Sequence, residues 1–304
     1  MVNYYQISLK DFEEILKTLL REKMVDKIIS GVEKRRHYTI NPKTITDEKD
    51  VEGFPFSQLF VYGYSRTNSA SKVLHKEGGA LDEKIAMIGH PCDGRALIEL
   101  SKKIQVNLDN VFTIIMEDIG CVSTSDMKKF LKKEKIKDED LIDEFLTPDK
   151  LLLKMQDGSV KEYKLGDKID VTPNCNRCFR KKLDDGYDLS VTWLTLEPFS
   201  KQLILKSNSA KGNEVLKKSK IELKELPKNK IEGLSSLQEE IMSKAEQRRA
   251  KELKEWLEKP DRIKEIAKCT MCGVCITACP VCFCKDCILK NNVRKRQLIK
   301  LHIN

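Results

Sequence analysis

The sequence contains no run of about 18 apolar residues, so it predicts no membrane-spanning helix. Its opening, MVNYYQISLKDF, lacks the charged-then-apolar order of a secretory signal. A cytoplasmic protein is expected, with its thiols kept reduced. There is no G-x-G-x-x-G and hence no dinucleotide-binding fingerprint. There is no internal repeat and no low-complexity tract. Nor is there a block of one charge over most of the chain: the formal charge is +9, but Lys and Arg interleave with Asp and Glu. That pattern predicts a solvated mixed-charge surface rather than a nucleic-acid-binding face. The one locally basic stretch is the tail LKNNVRKRQLIKLHIN, residues 289–304, which reads as a dock for an acidic partner or as a solvated terminal helix.

What is present is enough apolar residue, 40% of 304, for a sizeable core, with 34% charged residues around it. Three segments are expected: 1–150, of α/β texture; 151–233, of α+β texture; and 234–304, a long polar helix, a cysteine-rich module and the basic tail. Leu9 to Ile28 has helical apolar spacing. Lys84–His90 and Asn110–Met116 read as buried strands around a helix that includes RALIELSKKI, a parallel α/β unit. The loop GHPCDG falls at the carboxyl end of the first of these strands, where open α/β sheets place ligands. Asp157-Gly158 predicts a hairpin, two further strands are expected in DLSVTWLTLE and KQLILKS, and a helix should begin after Ser209. Pro227 to Gly233 reads as a linker.

Eleven cysteines in a reduced compartment point to metal or cluster ligation rather than disulfides. Cys269, Cys272, Cys275 and Cys279-Pro280 spell C-x2-C-x2-C-x3-C-P, the spacing of a [4Fe–4S] site in which the fourth thiolate serves a second cluster. Zinc is the competing reading, but its sites use two separated C-x2-C pairs more often. Cys282, Cys284 and Cys287 follow, and CNRC supplies Cys175 and Cys178 upstream. Nine clustered cysteines suit two four-thiolate clusters, with the assignment of each cysteine left open. CNRC joined to Cys284 and Cys287 in a zinc knuckle is the alternative. Cys92 and Cys121 stand alone, and an isolated cysteine is more often an inert core residue than a ligand.

Four stretches together resemble the coenzyme F-420 hydrogenase and dehydrogenase beta-subunit family: KIAMIGHPCDGRALIEL, CNRCFRKKLDDGYDLSVTW, LILKSNSAKGNEVLKKS and CTMCGVCITACPVCFCKDC. The last is similar to a formate-dehydrogenase-beta-like branch, and the likeness runs roughly from Leu9 to Cys287. The resemblance implies α+β architecture with an α/β core, a beta-subunit-type flavoprotein domain followed by a ferredoxin-like iron–sulfur module. It also implies FAD as a cofactor beside the clusters. Gly89, His90, Pro91, Cys92, Asp93 and Gly94 would then line the flavin or hydride site, with Gly89 and Gly94 permitting close backbone approach. His90 would bond to the ring or substrate, or simply cap the loop. Ser65, Arg66, Thr67, Asn68, Ser69 and Lys72 lie in YGYSRTNSASKVL, which is similar to a Gly-Ser segment of the family and reads either as an anion-binding set or as a polar turn before a helix. No catalytic residue is assigned.

Two departures are visible. The ferredoxin motif of the hydrogenase subunits is amino-terminal, whereas here it is carboxyl-terminal. Their Ser-Gly-Gly turn, which would offer bare N–H groups to phosphate, is replaced by YYQISLKDFEEIL. The expected function is an electron-transfer oxidoreductase subunit of an anaerobic complex, passing electrons between a hydride donor such as reduced coenzyme F-420 and one-electron carriers. The second reading is a flavin-free wiring subunit for a formate dehydrogenase, hydrogenase or heterodisulfide-reductase-like partner. A zinc-stabilised binding module is the third.

Overall fold

The computed structural model describes residues 3–33, 38–64, 69–270, 275 and 278–282. Strand β1 (Asn3–Ser8) runs directly into helix α1 (Leu9–Arg21). Ser8 caps the helix: its Oγ accepts from the Asp11 amide at 3.1 Å, and the Asp11 carboxylate accepts from the Ser8 amide at 2.8 Å. Phe12, Ile15, Leu16 and Leu19 form one buried face. The helix expected to reach Ile28 stops at Arg21. Lys23 takes a positive φ of 52°, and Ile28 and Ile29 enter strand β2 (Lys27–Glu33), where β-branched side chains pack well on a sheet buried on both faces.

β2 pairs antiparallel with β3 (Ile40–Ile45) and parallel with β4 (Ile85–Gly89). β4 pairs parallel with β5 (Val111–Met116), and β5 with β9 (Leu189–Thr192). Beyond β9 the direction reverses through β10 (Gln202–Ser207), which β1 joins antiparallel, and the short β11 (Lys224–Glu225) closes that edge. The order is β11-β1-β10-β9-β5-β4-β2-β3: a mixed sheet with a parallel centre. Every residue of β4 and β5 is buried.

A second sheet of three strands, β6 (Leu141–Leu146), β7 (Lys150–Met155) and β8 (Val160–Lys164), turns at Asp157-Gly158, where Gly158 takes a φ of +83°. It is fastened to the main body by aromatic stacking. The Trp193 ring, just past β9, stacks on Phe145 of β6 at 4.1 Å and on Phe60 of helix α2 (Phe56–Val61) at 4.5 Å.

Helix α3 (Ala70–Lys76) and helix α4 (Pro91–Lys102) flank β4, and α5 (Thr124–Lys133) follows β5. The four-residue α6 (Pro173–Asn176) contains the first cysteine of CNRC, and α7 (Ala210–Ser219) begins after the capping Ser209, as its sequence predicts. The stretch expected as a linker from Pro227 is instead the start of α8 (Lys228–Glu258): Pro227 lies at the N-cap, and its carbonyl accepts from the amides of Lys230 and Ile231. A proline's fixed φ and missing N–H are tolerated at a helix start. α8 is 31 residues, about 46 Å long at 1.5 Å per residue. Its buried residues are Leu234, Gln238 and Ala245. Past Ala245 it is a mixed-charge arm with Leu253, Trp256 and Leu257 exposed, leading through α9 (Arg262–Ala267) to Cys269. Among the described residues no helix is long and apolar enough to cross a membrane.

Candidate functional site

The carboxyl ends of β4 and β5 lie side by side, and the loops leaving them carry the reactive groups. After β4, Gly89 is followed by His90 at the N-cap of α4, with Pro91 at the first helical position. Asp93, 1% exposed, anchors this loop: Oδ2 accepts from the His90 amide at 3.1 Å, while Oδ1 accepts from the Ser71 amide at 3.2 Å and hydroxyl at 2.9 Å. The missing side chains of Gly89 and Gly94 make room within the protein. A Cβ on Gly89 would lie 2.8 Å from the Asp93 Cβ, and one on Gly94 2.4 Å from Leu183.

After β5 comes Glu117-Asp118-Ile119-Gly120-Cys121. The Asp118 carboxylate meets His90 Nδ1 at 2.5 Å and accepts from the Gly120 amide at 2.7 Å. Burial works against a charged His90 ring, but the Asp118 carboxylate outweighs it and holds the pKa up at about 9. His90 is therefore an imidazolium at neutral pH. The Cys121 sulfur lies 3.8 Å from its Nε2, and the Tyr64 ring meets it edge-on at 5.5 Å.

The third segment is the CNRC turn. Thr172 caps α6, and its amide donates to the Cys121 carbonyl at 2.8 Å, tying this turn to the loop after β5. The neighbouring Cys175 thiol and burial push Cys121 well above the ordinary thiol range. The Cys121 side chain draws Cys175 down to about 6, against burial, with help from Thr172 and the Lys181 ammonium. Gly120 is needed here: its φ is +128°, and a Cβ would lie 2.7 Å from the Cys175 Cβ. Cys178 receives an N–H from Arg95 Nη2 at 3.8 Å. Arg95 lies one turn after Cys92 on α4, and Cys92 is close enough to couple electrostatically with Cys121 and Cys175.

Cys92, Cys121 and Cys175, from three segments, thus approach one another at one end of the sheet, and Cys178 lies in the Cys175 turn, its amide donating to the Cys175 carbonyl at 3.1 Å. Soft thiolates in this number suit an iron–sulfur cluster or zinc. Cys121 is the member that the sequence leaves unassigned. Its signal is positional, since it follows the strand that neighbours β4. Cys175 lines a cleft of about 260 Å³, with Ile119, Lys181, Ile241 and Arg248 also in its wall.

Ser69 is the N-cap of α3, its Oγ accepting from the Lys72 amide at 3.3 Å; Ser65, Arg66, Thr67 and Asn68 lie outside the described residues. Cys269 and Cys275 are exposed, and Cys279 and Cys282 are half-buried and joined by a backbone bond of 3.3 Å. Cys272, Cys284 and Cys287 lie outside the described residues, as does the basic tail. Asp184 and Asp185 are exposed.

Residues 82–230 match the family model that describes the C terminus of the beta subunit of coenzyme F420 hydrogenase/dehydrogenase. The chain is 30% identical over 224 residues to the F420-dependent formate dehydrogenase 1 subunit beta of Methanococcus maripaludis, an alignment covering 68% of this chain and 57% of that protein. It is 26% identical over 219 residues to the F420-dependent formate dehydrogenase subunit beta of Methanocaldococcus jannaschii, covering 69% of this chain and 58% of that one. It therefore spans under two thirds of the length of these relatives. In fold it is similar to a chain of the F420-reducing [NiFe] hydrogenase complex from Methanosarcina barkeri, with a TM-score of 0.65, 13% identity, and 84% of this chain and 91% of that chain covered. Through the segment that carries β4, β5 and the CNRC turn, the chain belongs to the coenzyme F420 hydrogenase/dehydrogenase beta-subunit family.

Proposed function

We propose that this chain is the electron-transfer subunit of an oxidoreductase complex linked to coenzyme F-420, formate or hydrogen, and that Cys92, Cys121, Cys175 and Cys178 hold one [4Fe–4S] cluster in its body. The observation that carries the reading is the approach of Cys92, Cys121 and Cys175 at the carboxyl ends of β4 and β5, with Cys178 held in the Cys175 turn by its amide bond of 3.1 Å to the Cys175 carbonyl. The donor set fits a cubane better than zinc for a further reason. Arg95 and the His90 imidazolium face the sulfurs and would offset the negative charge of a four-thiolate cluster. A [4Fe–4S] cluster supplies one-electron steps, and FAD, where present, would split a hydride's electron pair into such steps.

This chain's residues supply the rest. Asp93 fixes the α4 start, Asp118 holds His90 against Cys121, and Gly120 lets the two ligand loops touch. The C-terminal cysteines, Cys269, Cys272, Cys275, Cys279, Cys282, Cys284 and Cys287, would form a ferredoxin-like module with a second cluster, borne on the α8 arm toward a partner. The partners would be the other subunits of a hydrogenase, formate dehydrogenase or heterodisulfide-reductase-like complex. The cleft that Cys175 lines would be the opening through which a flavin approaches the body cluster. Without FAD the chain would be a wiring subunit with the same clusters.

Anaerobic purification followed by iron, sulfide and zinc analysis and an absorption spectrum tests this. Iron with equal sulfide and a broad brown shoulder is expected, and flavin bands would separate the two forms of the reading. Cys121→Ala should remove about one cluster's iron. Zinc without iron, or unchanged iron in Cys121→Ala, would overturn the body site.

A further inference from the structure

Among the described residues, Lys181 is a buried cation with no carboxylate in ion-pair contact. It is 8% exposed, and its ammonium donates to the Ile119 carbonyl at 2.7 Å and to the Cys175 carbonyl at 2.6 Å. Those carbonyls belong to two different segments: one to the loop after β5 that ends in Cys121, the other to the CNRC turn. Asp118, in the same loop, is committed to His90 and to the Gly120 amide. The contrast is Lys206 of β10, whose buried ammonium is paired with Glu117. A buried charge satisfied only by carbonyl dipoles is costly unless an opposite charge arrives.

We propose that Lys181 is a positioning residue for the body cluster: its ammonium clips the Cys121 loop to the Cys175 turn and sets the cluster's reduction potential by lending a fixed positive charge beside the ligand sulfurs. The inference rests on the reading that Cys121 and Cys175 are ligands. A cubane with four thiolates is anionic and gains a further negative charge on reduction, so a fixed cation beside it stabilises the reduced form and raises the potential. The same ammonium crosses the place where Gly120 and Cys175 touch, since a Cβ on Gly120 would lie 3.3 Å from the Lys181 Nζ. Charge and clamp therefore act at one point.

The test uses the full chain, purified anaerobically, with an EPR-monitored redox titration and iron analysis. The EPR component lost in Cys175→Ala identifies the body cluster; if Cys175→Ala loses neither iron nor any component, the ligand assignment fails and Lys181 is not at issue. Given that assignment, Lys181→Met should shift this component to lower potential or reduce its iron, while Lys181→Arg, which keeps the charge and the donors, stays near the unsubstituted protein. The other components should not move. Loss of fold in Lys181→Met with Lys181→Arg folded and loaded also supports the charge. Overturning results are a fully loaded Lys181→Met with unchanged potential, or Lys181→Met and Lys181→Arg impaired alike, which would make the residue's shape rather than its charge the cause.

Discussion

Gln238, on α8, donates a hydrogen bond of 2.6 Å to the buried carboxylate of Glu117, the residue directly before Asp118. The same carboxylate accepts from the Lys206 ammonium and, at 3.1 Å, from the Ser190 hydroxyl. The arm that carries the C-terminal cysteines is thus pinned to the sheet one residue from the body site. Lys206→Met would strand a buried carboxylate, and removing one partner of such a pair costs about 3–5 kcal/mol. The double variant Glu117→Gln with Lys206→Met should recover most of that loss. Urea unfolding of the singles and the double measures it, and additive losses would show that the two charges are independent.

Gly120→Ala tests the meeting of the two ligand loops without touching a thiol. The added methyl would fall 2.7 Å from the Cys175 Cβ, at a φ of +128° that side chains rarely adopt. We expect a folded protein with iron reduced by about one cluster's share. Full iron content would mean that Cys121 and Cys175 need not approach each other.

Much of this arrangement is legible in the sequence where the signal is local. The apolar run before Gly89 and Pro91, the Asp157-Gly158 turn and the Ser209 cap each specify an element within a few residues, and β4, the β7–β8 hairpin and α7 form there. The end of α1 and the start of α8 are misread because the deciding facts lie elsewhere. Ile28 is claimed by strand pairing with β3 and β4, and Pro227 starts a helix that the sheet holds through Gln238. The grouping of Cys92 and Cys121 with CNRC depends on strand order, which no spacing encodes. Of the residues expected to bind an anion, Ser69 and Lys72 lie among the described ones, and there the Ser69 side chain caps α3 by accepting from the Lys72 amide.

Trp193 should be the costliest single aromatic to remove. Its ring stacks between Phe60 and Phe145 and so joins the main sheet, α2 and the three-stranded sheet. Truncation of a buried aromatic costs about 3–5 kcal/mol. Trp193→Ala should therefore lower the unfolding midpoint markedly, while Trp193→Phe, which keeps a stacking ring, should recover a large part of it. Equal losses in the two would show that a stacking ring does not replace the indole.

Tyr187 supplies a pH test away from the thiols. Burial, reinforced by the Glu117 carboxylate, pushes its phenol up to about 12, against an ordinary value of about 10. The folded state holds the proton over a range in which the unfolded chain releases it. The stabilisation is therefore fully present below about 10 and is lost as pH rises toward 12. Tyr187→Phe has no proton to lose, so the stability difference between the unsubstituted protein and Tyr187→Phe should be flat with pH up to about 10. Above that it should move against the unsubstituted protein. Unfolding free energies measured from pH 8 to 12 give the curve. A difference that stays flat throughout would place the Tyr187 hydroxyl in an environment as open as water.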